Sequence, residues 1–343
     1  MKTCCARFCL TLVLALSAPG GEIPVDWRMA TPAKEGLDPE RLSGLDSHIR
    51  SRLPHMRSLL IARHGRLVIE NYYADASRDG LHNMQSMSKS ISSALVGIAV
   101  QKGLIRSLDD PIVDYFPAYR NGIQDERMNS ITVRHLLTMS SGINESRLSF
   151  DRLYDNPVAE ILKQRLLFTP GQGFKYSSPA AHMLGGVLRQ ATGKPPFEFA
   201  ESEIFRPLGM GPVEWYADKT GLQSGGMSAL FRSRDLLKFG ELYLRKGRWA
   251  GREIVPSRYV AESIETHNSG GFLGRKVRYG YMWWIDTIAG HDLFYAAGYG
   301  GQYLVVISDL DLVVLCTSDW KQPEYPEHFA LLQKFILPSV TAK

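Results

Sequence analysis

Cysteine is scarce in this 343-residue chain and badly placed for cross-linking. Three of its four cysteines, Cys4, Cys5 and Cys9, fall in the first ten residues, leaving Cys316 alone in the rest. No intrachain disulfide can staple the remainder, so its stability must come from a buried core, for which a chain of this length suffices. Long apolar runs are also missing: beyond the N-terminal segment nothing approaches the ~20 continuous apolar residues that a membrane-spanning helix needs. Charge of one sign is missing too. A formal net charge of +5 gives no electrostatic footprint for nucleic acid, and short clusters such as Arg63, His64 and Arg66, or Arg275, Lys276 and Arg278, read as solvated faces. There is no fixed-period repeat, low-complexity tract or Pro/Ser linker. A G-x-S-x-G elbow and a His-Glu-x-x-His motif are both absent, which argues against an α/β-hydrolase and against that class of metalloprotease. The nine histidines are scattered, and no metal or other cofactor is expected.

The first residues break from this pattern. Lys2 and Arg7 lead into an apolar run from Phe8 to Leu16, followed by small residues from Ser17 to Gly21. Residues 1–20 are therefore expected to be a signal peptide, and the protein to be exported to the periplasm or secreted. Losing Lys2 and Arg7 takes the formal charge from +5 to +3.

Hydrophobic period divides the rest. From Ser58 to Tyr73 the chain alternates around a His64-Gly65 turn, which predicts two strands after a helix over about 39–53. From Ser86 to Gln101 the period becomes helical, with Met84, Met87, Ile91, Ala94, Leu95 and Ile98 on one stripe and Gly103 as a stop. Helix and loop then prevail to about residue 210. Strands are expected again over 279–286, 293–297, 302–308 and 312–317, and a helix over about 327–335. This predicts an α/β domain, discontinuous over 21–104 and 211–343, with one antiparallel sheet built from both ends of the chain. Residues 105–210 form a mostly helical insertion.

The chemistry is concentrated at Gln85-Ser86-Met87-Ser88-Lys89-Ser90. On a helix, residues three apart share a face, so the Ser86 hydroxyl and the Lys89 amine can meet. A serine hydroxyl needs a base, and lysine can serve where desolvation lowers its pKa. A chain this long holds about one S-x-x-K by chance, so the pair needs support. Three segments supply it: Tyr176-Ser177-Ser178, whose phenol could relay a proton; Thr132 to Gly142, a packing helix ending in a glycine turn; and Ala296-Ala297-Gly298-Tyr299-Gly300-Gly301-Gln302, where backbone can approach a ligand closely.

Together these residues resemble the serine β-lactamase and penicillin-binding-protein superfamily. The likeness is to its class C branch with the D-alanyl-D-alanine carboxypeptidases, family VIII carboxylesterases and 6-aminohexanoate-dimer hydrolases. It runs from about residue 35 to 335 and includes Asp109-Asp110-Pro111, Pro207-Leu208-Gly209-Met210 and Tyr279 to Trp284. The resemblance implies a β-lactamase/transpeptidase-like fold, α/β of the α+β kind, with a five-stranded antiparallel sheet flanked by helices. It implies Ser86 as nucleophile, Lys89 as base, Tyr176 as proton shuttle, and an oxyanion hole from the backbone N–H groups of Ser86 and Tyr299. Two departures bear on substrate. Tyr-x-Asn is Tyr176-Ser177-Ser178, and Lys-Thr-Gly is Ala296-Ala297-Gly298, which removes a cation for a substrate carboxylate.

The expected function is hydrolysis of a small ester or linear amide through an acyl-enzyme, with Ser178, Ala297, Gly298 and Trp284 as further substrate contacts. Of the adjacent Trp283 and Trp284, at most one can face a given side of a strand. The alternatives are a β-lactamase or D-Ala-D-Ala carboxypeptidase, and a non-hydrolytic penicillin-binding-like sensor. His135 is read as structural; His82 and His182 are placed to line the cleft, but are read rather as lying behind it or on the surface. The expected partner is a small-molecule ester or amide, with no nucleic acid and no membrane span.

Overall fold

The computed structural model describes residues 26–145, 155–272, 274–322 and 325–341, so the expected leader lies outside the described residues. The β-branched and aromatic runs form most of the strands, thirteen among the described residues. In chain order they are β1 Met56–Arg63, β2 Arg66–Tyr72, β3 Leu81–Asn83, β4 Glu214–Trp215, β5 Ala229–Arg232, β6 Arg248–Trp249, β7 Arg252–Glu253, β8 Asn268–Phe272, β9 Arg275–Tyr279, β10 Trp284–Ile288, β11 His291–Gly298, β12 Gln302–Ile307 and β13 Leu312–Ser318. Eight make one antiparallel sheet in the order β2-β1-β13-β12-β11-β10-β9-β8. The N-terminal hairpin thus pairs with the last strand, Leu60 opposite Leu315, so one sheet is built from both ends of the chain.

The sheet has eight strands where five were expected. Five of them, from β2 to β11, are contiguous, and β10, β9 and β8 extend the far edge. β8 reads Asn-Ser-Gly-Gly-Phe and carries no apolar alternation to announce it. It forms because Gly270 admits the Phe174 ring: a Cβ there would lie 2.1 Å from a ring carbon. The single strand expected over 279–286 is two strands. Between them Gly280 is pressed against the Ser263 carbonyl, 2.1 Å from where a Cβ would sit, and Met282 is left-handed with φ 62°. That conformation breaks the extended run.

β12 and β13 are buried at every residue, because both faces of the sheet are covered; such strands read as continuous apolar runs. Successive residues show the two coverings. Phe294 meets Tyr243 of the helix Ser233–Leu244, while Tyr295 meets Phe329 of the terminal helix Tyr325–Leu331. The helix expected over 39–53 is split into Pro39–Leu42 and Leu45–Arg52. Gly44 lies between them, against the Phe335 ring. Between residues 105 and 210 every described element is helical. A second sheet, in the order β3-β5-β4, ties residues 81–83 to segments beyond that insertion.

The helix Ser88–Gln101 runs through this assembly, buried on all sides from Ser88 to Ala99 rather than along one stripe. Its serines make that burial tolerable, since buried hydroxyls cost stability unless bonded. Ser90 Oγ donates to the Met282 carbonyl (2.7 Å), Ser92 Oγ to the Gly225 carbonyl (2.7 Å), and Ser93 Oγ pairs with the Tyr259 hydroxyl (2.9 Å). Each serine anchors the helix to a different part of the chain. Gly97 completes the fit: a Cβ there would lie 2.4 Å from the Tyr259 ring. Gly97→Val is therefore expected to lower unfolding stability by about 1–3 kcal/mol through overpacking, read as a shifted urea midpoint at unchanged slope.

Candidate active site

The turn that enters this helix is conformationally unusual. Gln85 is left-handed with φ 49°, a costly state for a residue with a side chain. It is held there by Asn83 Oδ1, which accepts from the Gln85 amide at 2.9 Å. Regular helix begins only at Ser88, after a tight turn over Gln85–Met87. Ser86 is thereby carried half-buried at the rim while Lys89 points inward.

Lys89 is 2% exposed, and its Nζ lies 2.8 Å from Ser86 Oγ, 2.6 Å from the Gly226 carbonyl and 3.4 Å from Ser178 Oγ. Burial pulls its pKa down to about 7, opposed by the nearby Glu145 carboxylate. About half of the lysine is therefore neutral at pH 7, a form able to take the proton of the hydroxyl it touches. The Tyr176 ring centroid is 4.9 Å from Nζ. Tyr176 is set by the extended residue Ser177, whose side chain caps the helix Ser178–Thr192 by accepting from the Ala180 amide at 3.2 Å.

Trp284 is 4% exposed and stacks on Tyr176 with centroids 5.6 Å apart and planes at 17°. Phe272 and Tyr279 close around its other sides. It holds the phenol in place from behind rather than presenting an open wall. Trp283, fully buried against Phe239, Tyr243 and Phe294, belongs to the core.

β11 delivers the opposite wall. Gly298 lies so close to the strained turn that a Cβ would sit 2.3 Å from the Met84 carbonyl oxygen, and Tyr299 follows directly after it at the end of β11. Gln302 then shapes the glycine turn: its Nε2 donates to the carbonyls of Gly300 (3.1 Å) and Ser318 (2.9 Å), and its Oε1 accepts from the Ser318 amide (3.1 Å). Tyr299 itself is 53% exposed. Ala296 and Ala297 are buried within the strand.

This is the arrangement of an acyl-transferring serine site: a hydroxyl, an adjoining desolvated amine, a phenol and a closely approaching backbone strand. The family model described as Beta-lactamase matches residues 54–334. The chain belongs to the beta-lactamase family. Esterase EstB of Burkholderia gladioli is 27% identical, aligned over 67% of this chain and 64% of the esterase, just under two thirds of its length. The 6-aminohexanoate-dimer hydrolase of Paenarthrobacter ureafaciens is 24% identical over 91% of this chain and 85% of that protein. The crystal structure of a family VIII carboxylesterase superposes with a TM-score of 0.71 at 16% identity, covering 90% of this chain and 98% of that one. Membership of this family, with such relatives, makes the protein a serine hydrolase.

The structure brings Ser86, Lys89, Tyr176 and Ser178 together, sets Gly298 against the turn that carries Ser86, and Trp284 reaches the group through Tyr176. Sequence reasoning missed two participants. Gly226 belongs to a Gly225-Gly226 doublet in a stretch with no periodic signal, and only that doublet hinted at close packing. Glu145 accepts a hydrogen bond from the Ser178 amide, yet nothing in its sequence surroundings marks it. His135 is structural, as a capping residue exchanging bonds with Thr132. His82 lies on β3 opposite Phe231. Among the described residues no helix is long and apolar enough to cross a membrane, and no group of three His, Cys, Asp or Glu is placed to hold a metal ion. Gly298→Ala is expected to cut kcat/KM on an activated ester by about 10²-fold, the scale of a lost oxyanion donor, while the thermal midpoint moves by only a few degrees.

Proposed function

We propose that this protein hydrolyses a small ester or linear amide by way of an acyl-enzyme on Ser86. The observation that carries the reading is the 2.8 Å contact between Ser86 Oγ and the Nζ of a fully buried lysine. Neutral Lys89 takes the hydroxyl proton as Oγ bonds to the substrate carbonyl carbon. The tetrahedral oxyanion is held by the backbone N–H groups of Ser86 and Tyr299. When the bond to the leaving group breaks, the proton passes to that group through the Tyr176 hydroxyl, and water then hydrolyses the acyl ester to restore Ser86. Ser178 and Gly298 line the acyl side, and Trp284 acts by fixing Tyr176.

The choice of ester or linear amide over a penicillin rests on Ala296 and Ala297. A buried alanine stands where a lysine would offer a cation to a substrate carboxylate, and the esterase and dimer-hydrolase names among the relatives point the same way. Export, to the periplasm or outside the cell, is inferred from Lys2, Arg7 and the apolar run from Phe8 to Leu16. N-terminal sequencing of the mature protein from the exported fraction tests it: an intact Met1 overturns it.

Rates on p-nitrophenyl butyrate and nitrocefin decide between substrates. Ester turnover well above nitrocefin turnover is expected, and fast nitrocefin turnover without ester hydrolysis overturns the reading. Ser86→Ala is expected to lose more than about 10³-fold in kcat. Because the neutral lysine is the active form, kcat/KM should rise with pH through a limb near pH 7, the value to which burial brings Lys89, and should not fall across it.

A further inference from the structure

The Gly226 carbonyl makes the shortest of the polar contacts to Lys89, so whatever fixes the loop carrying it also fixes the lysine. That loop is closed by a bridge between Ala217 and Gln223 and turns around the Asp218 carboxylate. Asp218 Oδ1 accepts from the Thr220 amide (2.7 Å), the Thr220 hydroxyl (2.7 Å) and the Leu222 amide (3.1 Å). Its Oδ2 lies 3.1 Å from His182 Nε2, on the helix that begins directly after Tyr176 and Ser177. Both side chains are sealed, 1% exposed for His182 and 0% for Asp218. Burial alone would raise the Asp218 pKa, but bonds from His182, Thr220 and the Leu222 amide outweigh it and hold the group at about 2, as a carboxylate.

On either side of His182 the helix is pressed against this loop. A Cβ on Gly225 would lie 2.1 Å from the Ala181 carbonyl oxygen, one on Gly226 2.8 Å from Ala181 Cβ, and one on Gly185 3.0 Å from the Gln223 carbonyl oxygen. Small residues permit this approach but do not fix its register, because a smooth contact can slide. A directional bond between two buried polar groups does fix it, and burying such a pair is a poor route to stability alone. Ser92 Oγ, one turn beyond Lys89, grips the Gly225 carbonyl from the other side.

We propose that His182 and Asp218 are positioning residues for the reaction: their locked pair sets the register of the 217–226 loop on the helix Ser178–Thr192, which keeps the Gly226 carbonyl on Lys89 Nζ and water away from it. This rests on the reading of Lys89 as the base. The groups facing that amine are the Ser86 and Ser178 hydroxyls, the Gly226 carbonyl, the Glu145 carboxylate and the Tyr176 ring, and none of them is altered by changing His182.

The test compares His182→Gln with His182→Asn in the full-length protein, using p-nitrophenyl butyrate across pH and thermal unfolding. Both replacements are polar and smaller than the ring, but only glutamine extends an amide to where Nε2 reaches Asp218. His182→Asn is expected to lower kcat about tenfold or more with KM within about twofold. Its kcat/KM limb should move to higher pH by about half a unit, because water admitted beside Lys89 relieves the desolvation that depresses it. His182→Gln should recover most of both. Two folded variants with wild-type kcat and an unmoved limb overturn the proposal, as does equal loss in both at equal thermal midpoints. Wild-type protein inactive on every ester and linear amide tried would overturn the hydrolase reading instead, so the two failures are distinct.

Discussion

The rest of the site depends on one constraint: an amine with no access to water, held against a serine hydroxyl. A lysine in water is an ammonium at neutral pH and no base. Burying it costs free energy that the surroundings must offset with hydrogen bonds, and Lys89 finds them in Ser86, Ser178 and the Gly226 carbonyl. Much of the architecture follows from that requirement. The helix Ser88–Gln101 has to be enclosed on every side, its serines have to be bonded, and the chain around residues 225 and 226 has to lack side chains so that a carbonyl can reach Nζ.

The same enclosure explains why the two walls of the cleft come from distant parts of the sequence. Tyr176 is presented by the cap of one helix and backed by Trp284 from β10, while Tyr299 arrives at the end of β11 where Gly298 touches the strained turn at Gln85. Strain at Gln85 and close approach at Gly298 are two sides of one contact: the left-handed residue lifts Ser86 to the rim, and the glycine lets the strand come up beside it. The buried Ala296 and Ala297 continue that strand as plain packing surface.

Much of this was legible in the sequence. The switch of hydrophobic period located the N-terminal hairpin, the late strands and the central helix, and the motif residues Ser86, Lys89 and Tyr176 are found together. What was illegible has physical causes. β8 has no alternating pattern because its glycines pack on Phe174. The strand over 279–286 breaks at Met282 because tertiary contacts around Gly280 override local propensity. A stripe was expected on the central helix, and full burial was found, because satisfied serines behave as core residues. Gly226, Glu145 and the link from His182 to Asp218 act through backbone groups or through residues far apart in sequence, and neither leaves a periodic trace.

The central claim is the neutrality of Lys89, and NMR titration of protein carrying 13Cε-labelled lysine measures it directly. The account predicts one lysine resonance titrating near pH 7, the value to which burial lowers Lys89, and missing from Lys89→Met. Lysines that all titrate near 10, as in water, would contradict it.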